Sequence, residues 1–166
     1  MIRSCTDHDL RDIFDVINDA AMAYRSVIPA EHWQDTYMPI DALTREIGGG
    51  VRFWGFMLNQ QLVGVIGMQD RTDATLIRHA YVRTEYRNQG IGGQLLAELR
   101  AHSRFPLMVG TWAAARWAIA FYRKHGFHQV SPTAGQKLLR KYWTVSPAQM
   151  KSSVVLVEAD PAQFEK

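Results

Sequence analysis

Arg87-Asn88-Gln89-Gly90-Ile91-Gly92 stands between a strand-like apolar run, Ala74 to Val82, and an amphipathic stretch, Gly90 to Ser103. In that stretch Ile91, Leu95, Leu96 and Leu99 fall on one helical face. Strand, glycine turn and helix in this order put the first amides of a helix just beyond a strand end. Those amides have no partners inside the helix and lie at the positive end of its dipole, so they attract anions. Gly90 and Gly92 let an anion approach the backbone, and Arg87 and Gln89 add side-chain donors. The turn is not a P-loop, because no Gly-Lys-Ser/Thr follows, and it lacks the three glycines of a dinucleotide fingerprint.

The remaining pattern surrounds this junction with more strands than helices. Ile2 to Cys5 reads as a short strand. A helix follows, capped by Asp7 or Asp9 and fading near Tyr24-Arg25, with Leu10, Ile13, Ile17, Ala20 and Ala21 on one face. Ser26 to Pro39 is irregular, and a helix over Ile40 to Ile47 is stopped by Gly48-Gly49-Gly50. Val51 to Leu58 and Gln61 to Met68 form a hairpin around Asn59-Gln60. After the glycine turn the spacing predicts a strand over Pro106 to Thr111, a helix over Ala113 to His125 ended by Gly126, and a strand from Phe127 to Val130. A short helix over Gln136 to Trp143 and a last strand over Ser152 to Glu158 complete the order. The expectation is an α/β (α+β) fold: a mixed, mostly antiparallel central sheet of about seven strands with helices on both faces.

A chain of 166 residues that is 47% hydrophobic can bury a full core as one domain, residues 1 to 166. Its single cysteine, Cys5, excludes an internal disulfide. Met1 to Asp12 is mostly polar, so no signal peptide is expected, and no apolar run approaches the roughly 20 residues that span a bilayer. The expected setting is cytoplasmic. A net charge of +3, with basic residues scattered, gives no nucleic-acid footprint.

Two stretches together resemble the GCN5-related N-acetyltransferases, the GNAT family. Val82 to Leu96 looks like the family's acyl-CoA motif, whose core is R/Q-x-x-G-x-G/A. Ala118-Ile119-Ala120-Phe121-Tyr122-Arg123-Lys124-His125-Gly126-Phe127 looks like its later motif, A-x-x-F-Y-x-x-x-G-F. Order and interval also match, and the likeness runs from Ile2 to about Glu158. One departure stands out: Ala115 occupies the place where such proteins often carry an Asn that contacts pantetheine.

The resemblance implies a single acyl-CoA N-acyltransferase domain that moves an acetyl group from acetyl-CoA directly to an amine, with no metal. Main-chain groups of Tyr81 and Val82 would pair with pantetheine, and backbone amides from Arg87, Asn88, Gln89, Gly90, Ile91 and Gly92 would hold the diphosphate. Tyr122 would protonate the departing sulfur. His79 is a candidate base, since histidine titrates near neutrality, and a bulge would decide whether it shares a face with Tyr81. Glu85 is a second candidate, and a water chain to solvent is an alternative to both. Glu31, His32 and Asp35 border the expected acceptor side. Tyr24, Trp33, Tyr37 and Met38 line an acceptor pocket or pack helices onto the sheet; Trp112 and Trp117 read as core. Arg123 and Lys124 are in reach of the CoA phosphates or of solvent only. Three functions stay open: acetylation of a small-molecule amine, acetylation of a protein or peptide, or acyl-CoA sensing without catalysis. No nucleic-acid or membrane partner is expected, and a homodimer through Ser152 to Glu158 is compatible with the pattern.

Overall fold

The computed structural model describes residues 1–166. Strand β1 (Ile2–Ser4) leads into helix α1 (Leu10–Ala21), and α2 (Ile40–Gly48) precedes the long strands β2 (Arg52–Leu58), β3 (Gln61–Asp70) and β4 (Thr75–Val82). Then come α3 (Ile91–His102), β5 (Leu107–Trp112), α4 (Arg116–Lys124), β6 (His128–Gln129), α5 (Pro132–Tyr142), α6 (Pro147–Lys151) and β7 (Ser153–Val157). The seven strands form one sheet in the order β1-β2-β3-β4-β5-β7-β6. Every neighbouring pair is antiparallel except β4 and β5. No helix is long and apolar enough to cross a membrane.

The hairpin forms where expected. Asn59 (φ 46°) and Gln60 (φ 65°) both adopt the left-handed conformation that a tight two-residue hairpin turn requires. One face of the sheet packs against α3 and α4 through Ile66, Met68, Leu95, Leu96, Leu99 and Tyr122. On the other face α1 and α2 cover β2 and β3 through Ile13, Ile17, Leu43 and Phe53. α5 covers β5 and β7 through Leu138, Leu139 and Val155. The irregular segment after α1 is clamped by Asn18, whose amide donates to the Met38 carbonyl (3.0 Å) and whose oxygen accepts from the Met38 N–H (2.8 Å).

Two helix starts and one additional helix differ from expectation. Ala113 to Ala115 form a turn, and α4 starts only at Arg116. α5 starts at Pro132, four residues before Gln136, because Ser131 caps it by accepting from Ala134 N–H at 3.2 Å and Pro132 fits the first helical position. The five-residue α6 was not expected; Ser146 and Gln149 form a reciprocal capping box around Pro147.

The irregularity that matters most lies in β4. Its ladder with β3 skips a residue between Val65 and Gly67, and His79 takes φ 59°, so β4 carries a bulge. Arg78 and His79, successive residues, consequently turn to the same side, and both reach Glu46 of α2. A Cβ at Gly67 would lie 2.4 Å from the Arg78 carbonyl oxygen, so the bulge needs glycine opposite it. β4 pairs with β5 only at Thr75–Leu107 and Leu76–Met108; beyond these the two parallel strands diverge.

Candidate active site

A cleft of about 780 Å³ fills the gap left by that divergence. Its walls come from both faces of the sheet. Ala80, Val82, Ile91 and Tyr122 line it on the α3/α4 side. Val65, His79, Tyr81, Tyr24 and Tyr37 line it on the side of α1 and the segment after it. The cleft therefore joins the two faces through the sheet.

At the α3 mouth Gly90 caps the helix with φ 78°, a conformation that glycine reaches without strain, and the first internal bond runs from Gln94 N–H to the Gly90 carbonyl at 3.2 Å. The amides of Ile91, Gly92 and Gly93 thus precede the helical ladder. Arg87, Asn88, Gly90, Ile91 and Gly92 border the cleft. The Arg87 guanidinium donates to the Ala20 carbonyl at 2.7 Å and ties the turn to the end of α1. Gln89 is exposed, lies off the cleft, and donates weakly to the Glu85 carbonyl at 3.4 Å.

Tyr122 is buried, packed edge-to-face against Phe121 (5.1 Å between ring centroids) and Phe127 (5.3 Å). Burial, and next the neighbouring Tyr24, push its phenol well above the usual range, so it stays protonated. His79 sits between the rings of Phe53 (6.1 Å) and Tyr81 (6.3 Å), and its Nε2 bonds the Glu46 carboxylate. Arg78 Nη2 lies 3.4 Å from the other Glu46 oxygen. Burial pushes Glu46 up, but the His79 hydrogen bond and the charges of His79 and Arg78 outweigh it and hold the carboxyl below its ordinary value. His79 does share a face with Tyr81, and the bulge adds Arg78 to that face. Glu85, by contrast, is exposed on the Thr84–Tyr86 turn and away from the cleft, so it is not brought to Tyr122 or His79.

The aromatic residues divide. Tyr24 stacks on Tyr37 (5.7 Å) and Trp117 (5.4 Å) and meets Tyr81 edge-on (6.3 Å). Trp112 Nε1 donates to the Tyr37 hydroxyl at 3.0 Å. Burial pushes the Tyr24 phenol up to about 12, with Tyr37 adding to it, and burial raises Tyr37 and Tyr81 as well. Met38 packs into the α1/α2 core and Trp33 stacks behind Tyr37, so neither borders the cleft. Trp112 and Trp117 were expected in the core; both line the cleft, and Trp117 is 45% exposed. Their helix and strand positions carried no signal for this, because the outward-turned start of α4 is set by the unexpected turn at Ala113 to Ala115. Lys124 borders the cleft, whereas Arg123 bonds Gln129 at 2.9 Å. Glu46 was missed altogether: it is 33 residues from its partner His79, and only the tertiary fold joins them.

The Acetyltransferase (GNAT) domain model matches residues 14–140. Among solved structures, an acetyltransferase of the GNAT family from Staphylococcus aureus Mu50 superposes with a TM-score of 0.70 at 17% identity, covering 96% of this chain and 99% of that one. The PaiA N-acetyltransferase of Thermoplasma acidophilum, in complex with coenzyme A, gives 0.68 at 16% identity over 96% and 98%. A ribosomal-protein-alanine N-acetyltransferase from Brucella melitensis gives 0.62 at 25% identity over 79% and 86%. No curated protein matches the chain. With the family model spanning most of its length, and with the fold shared over 96% of the chain, the chain belongs to the GNAT acetyltransferase family.

Proposed function

We propose that this acyltransferase moves the acetyl group of acetyl-CoA directly onto a primary amine of a small molecule. The observation that carries the reading is the cleft through the sheet, which joins an open helix start to Tyr122 on one face and to His79 on the other. The residues present fit the co-substrate. The first-turn amides of α3 suit a diphosphate, and Arg87, Asn88 and Lys124 beside the cleft add donors and charge. Beyond Leu76 the β5-facing edge of β4 has no ladder partner, so main-chain groups around Tyr81 and Val82 are available to the amides of a pantetheine arm, as an added strand would use them. Ala115 is fully buried and offers no polar side chain for the same purpose. The coenzyme A complex of the Thermoplasma neighbour supports this donor side.

Acetyl-CoA supplies an activated acyl group whose sulfur departs as a thiol. Tyr122, kept protonated, is the proton donor for that sulfur. His79 is the proton acceptor for the attacking amine, in preference to the exposed Glu85. With Nε2 donating to Glu46, Nδ1 is the nitrogen left to take a proton. We read the transfer as direct: Cys5, the one thiol of the chain, does not line the cleft, and burial pushes it up to about 12. Acetylation of a protein N-terminus is the second reading, supported by the named activity of the Brucella neighbour.

Calorimetric titration with acetyl-CoA, followed by turnover across a panel of amines, tests the proposal. Tyr122→Phe is expected to lower kcat by about a hundredfold while acetyl-CoA affinity stays within about twofold. Binding without turnover on any amine would make the domain a sensor, and absence of binding would remove the donor assignment.

A further inference from the structure

The two ends of the cleft differ in chemistry, and the difference identifies the acceptor. We infer that the acceptor is a primary amine carried on a compact aromatic body with no second cationic group. This rests on the N-acetyltransferase reading above.

The helix start, Arg87 and Lys124 give the α3 side its donors for phosphate. The opposite side is aromatic. Tyr24 is its centre, in contact with the rings of Tyr37, Trp117 and Tyr81. Trp143 and Val145 close it from the α5 end. Trp117 leaves 45% of its surface open there, on the first turn of α4. Rings of this kind present flat apolar faces and fixed edges at low entropic cost, which suits stacking of another ring.

Charge narrows the choice further. No aspartate or glutamate lines the cleft; of its cations, Arg87 and Lys124 belong to the phosphate side and Arg78 is paired with Glu46. Glu46 lies behind His79, engaged by it and by Arg78. The phenols of Tyr24, Tyr37 and Tyr81 are all shifted upward by burial, so none supplies an anion near neutral pH. A polyamine or a lysine-rich peptide would bring ammonium groups with no carboxylate lining the cleft to meet them. A single amine faces the reverse situation. An apolar aromatic wall favours its neutral form, which is the nucleophile, and His79 receives whatever proton remains. Nitrogen bonds to the acetyl carbon, the carbon–sulfur bond breaks, one proton passes from nitrogen to His79, and Tyr122 protonates sulfur; His79 then gives its proton to solvent and Tyr122 regains one from it, so both end as they began.

The test is competition among 2-phenylethylamine, n-hexylamine, spermidine and a decapeptide with a free N-terminal alanine, measured as kcat/KM at saturating acetyl-CoA. The expected result is a preference for 2-phenylethylamine of about a hundredfold over spermidine and the peptide, and about tenfold over n-hexylamine. Trp117→Ala, at a half-exposed position, is expected to raise KM for 2-phenylethylamine about tenfold without changing acetyl-CoA affinity. Transfer that favours spermidine, the peptide or n-hexylamine overturns the acceptor assignment and leaves N-acetyl transfer standing. An unchanged KM in the Trp117 variant overturns it likewise. Acetyl-CoA binding with no transfer to any of the four removes both readings.

Discussion

Glu46 touches neither wall of the cleft, yet it holds His79, the side chain proposed to take the proton of the amine. His79 sits at φ 59°, a conformation a non-glycine residue keeps only when its surroundings impose it. The imposing groups are Phe53 and Tyr81 on its ring faces and Glu46 on its Nε2. A carboxylate hydrogen-bonded to imidazole fixes its tautomer. The other charged or titratable neighbours are Arg78, which shares Glu46, and Tyr81, whose phenol burial keeps neutral. Glu46→Gln keeps the shape and removes the charge. kcat/KM should fall about tenfold, because the tautomer is no longer enforced. Activity and urea unfolding of the variant are compared: a rate loss no larger than the loss of folded protein would mean that Glu46 only supports the fold.

Elements set what those residues can do, and the bulge in β4 is the one that opens the site. It turns His79 toward α2 and accompanies the parting of β4 from β5 after two paired residues. Gly67 permits it, since any Cβ there meets the Arg78 carbonyl oxygen at 2.4 Å, a backbone atom that cannot swing aside. Gly67→Ala is expected to cost about 2 kcal/mol in urea unfolding and to lower kcat more than tenfold, because relief requires the bulge to shift. Wild-type values for both would show the bulge to be dispensable. The sequence made most elements legible, as the hairpin at Asn59-Gln60 and the helix after Gly90 illustrate, because periodicity and turn chemistry are local. The bulge was legible only as a possibility, since its cause lies on a neighbouring strand. The start of α5 lies four residues before Gln136, where Ser131-Pro132 carries a cap signature that is local and legible in the sequence. The glycine turn that opens α3 was legible, whereas Glu46 and the exposure of Trp117 depend on which helix crosses which strand.

At the scale of the whole molecule, acidic side chains cross-link elements distant in the chain, and this determines how the fold answers to pH. Asp9 joins β1 to α1: Arg3 donates to its two oxygens at 2.9 and 2.7 Å, and Thr6 N–H donates at 2.7 Å. Glu46 joins α2 to β4, Asp73 joins the β3–β4 turn to Lys141 and Tyr142 of α5, and Glu165 ties the C-terminal segment to Ser131. All four are held below the ordinary carboxylate range: Asp9 chiefly by the Arg3 hydrogen bond, Asp73 by Lys141, Glu165 by Ser131, and Glu46 by His79 and Arg78 against its burial. A group whose folded value is depressed binds its proton more readily when unfolded. Its contribution is complete above the unfolded value and is lost as pH falls through the folded one. Through these four carboxylates unfolding free energy should drop below about pH 4.5, with the drop continuing to low pH because Asp9 is the most strongly depressed. Asp9→Asn removes the strongest member while keeping its size. It is expected to lose about 2 kcal/mol at neutral pH and to show a shallower acid limb, since that share of the proton uptake is gone. Urea titrations of both proteins from neutral to acid pH measure it; parallel curves displaced by a constant amount would mean that Asp9 acts through packing alone.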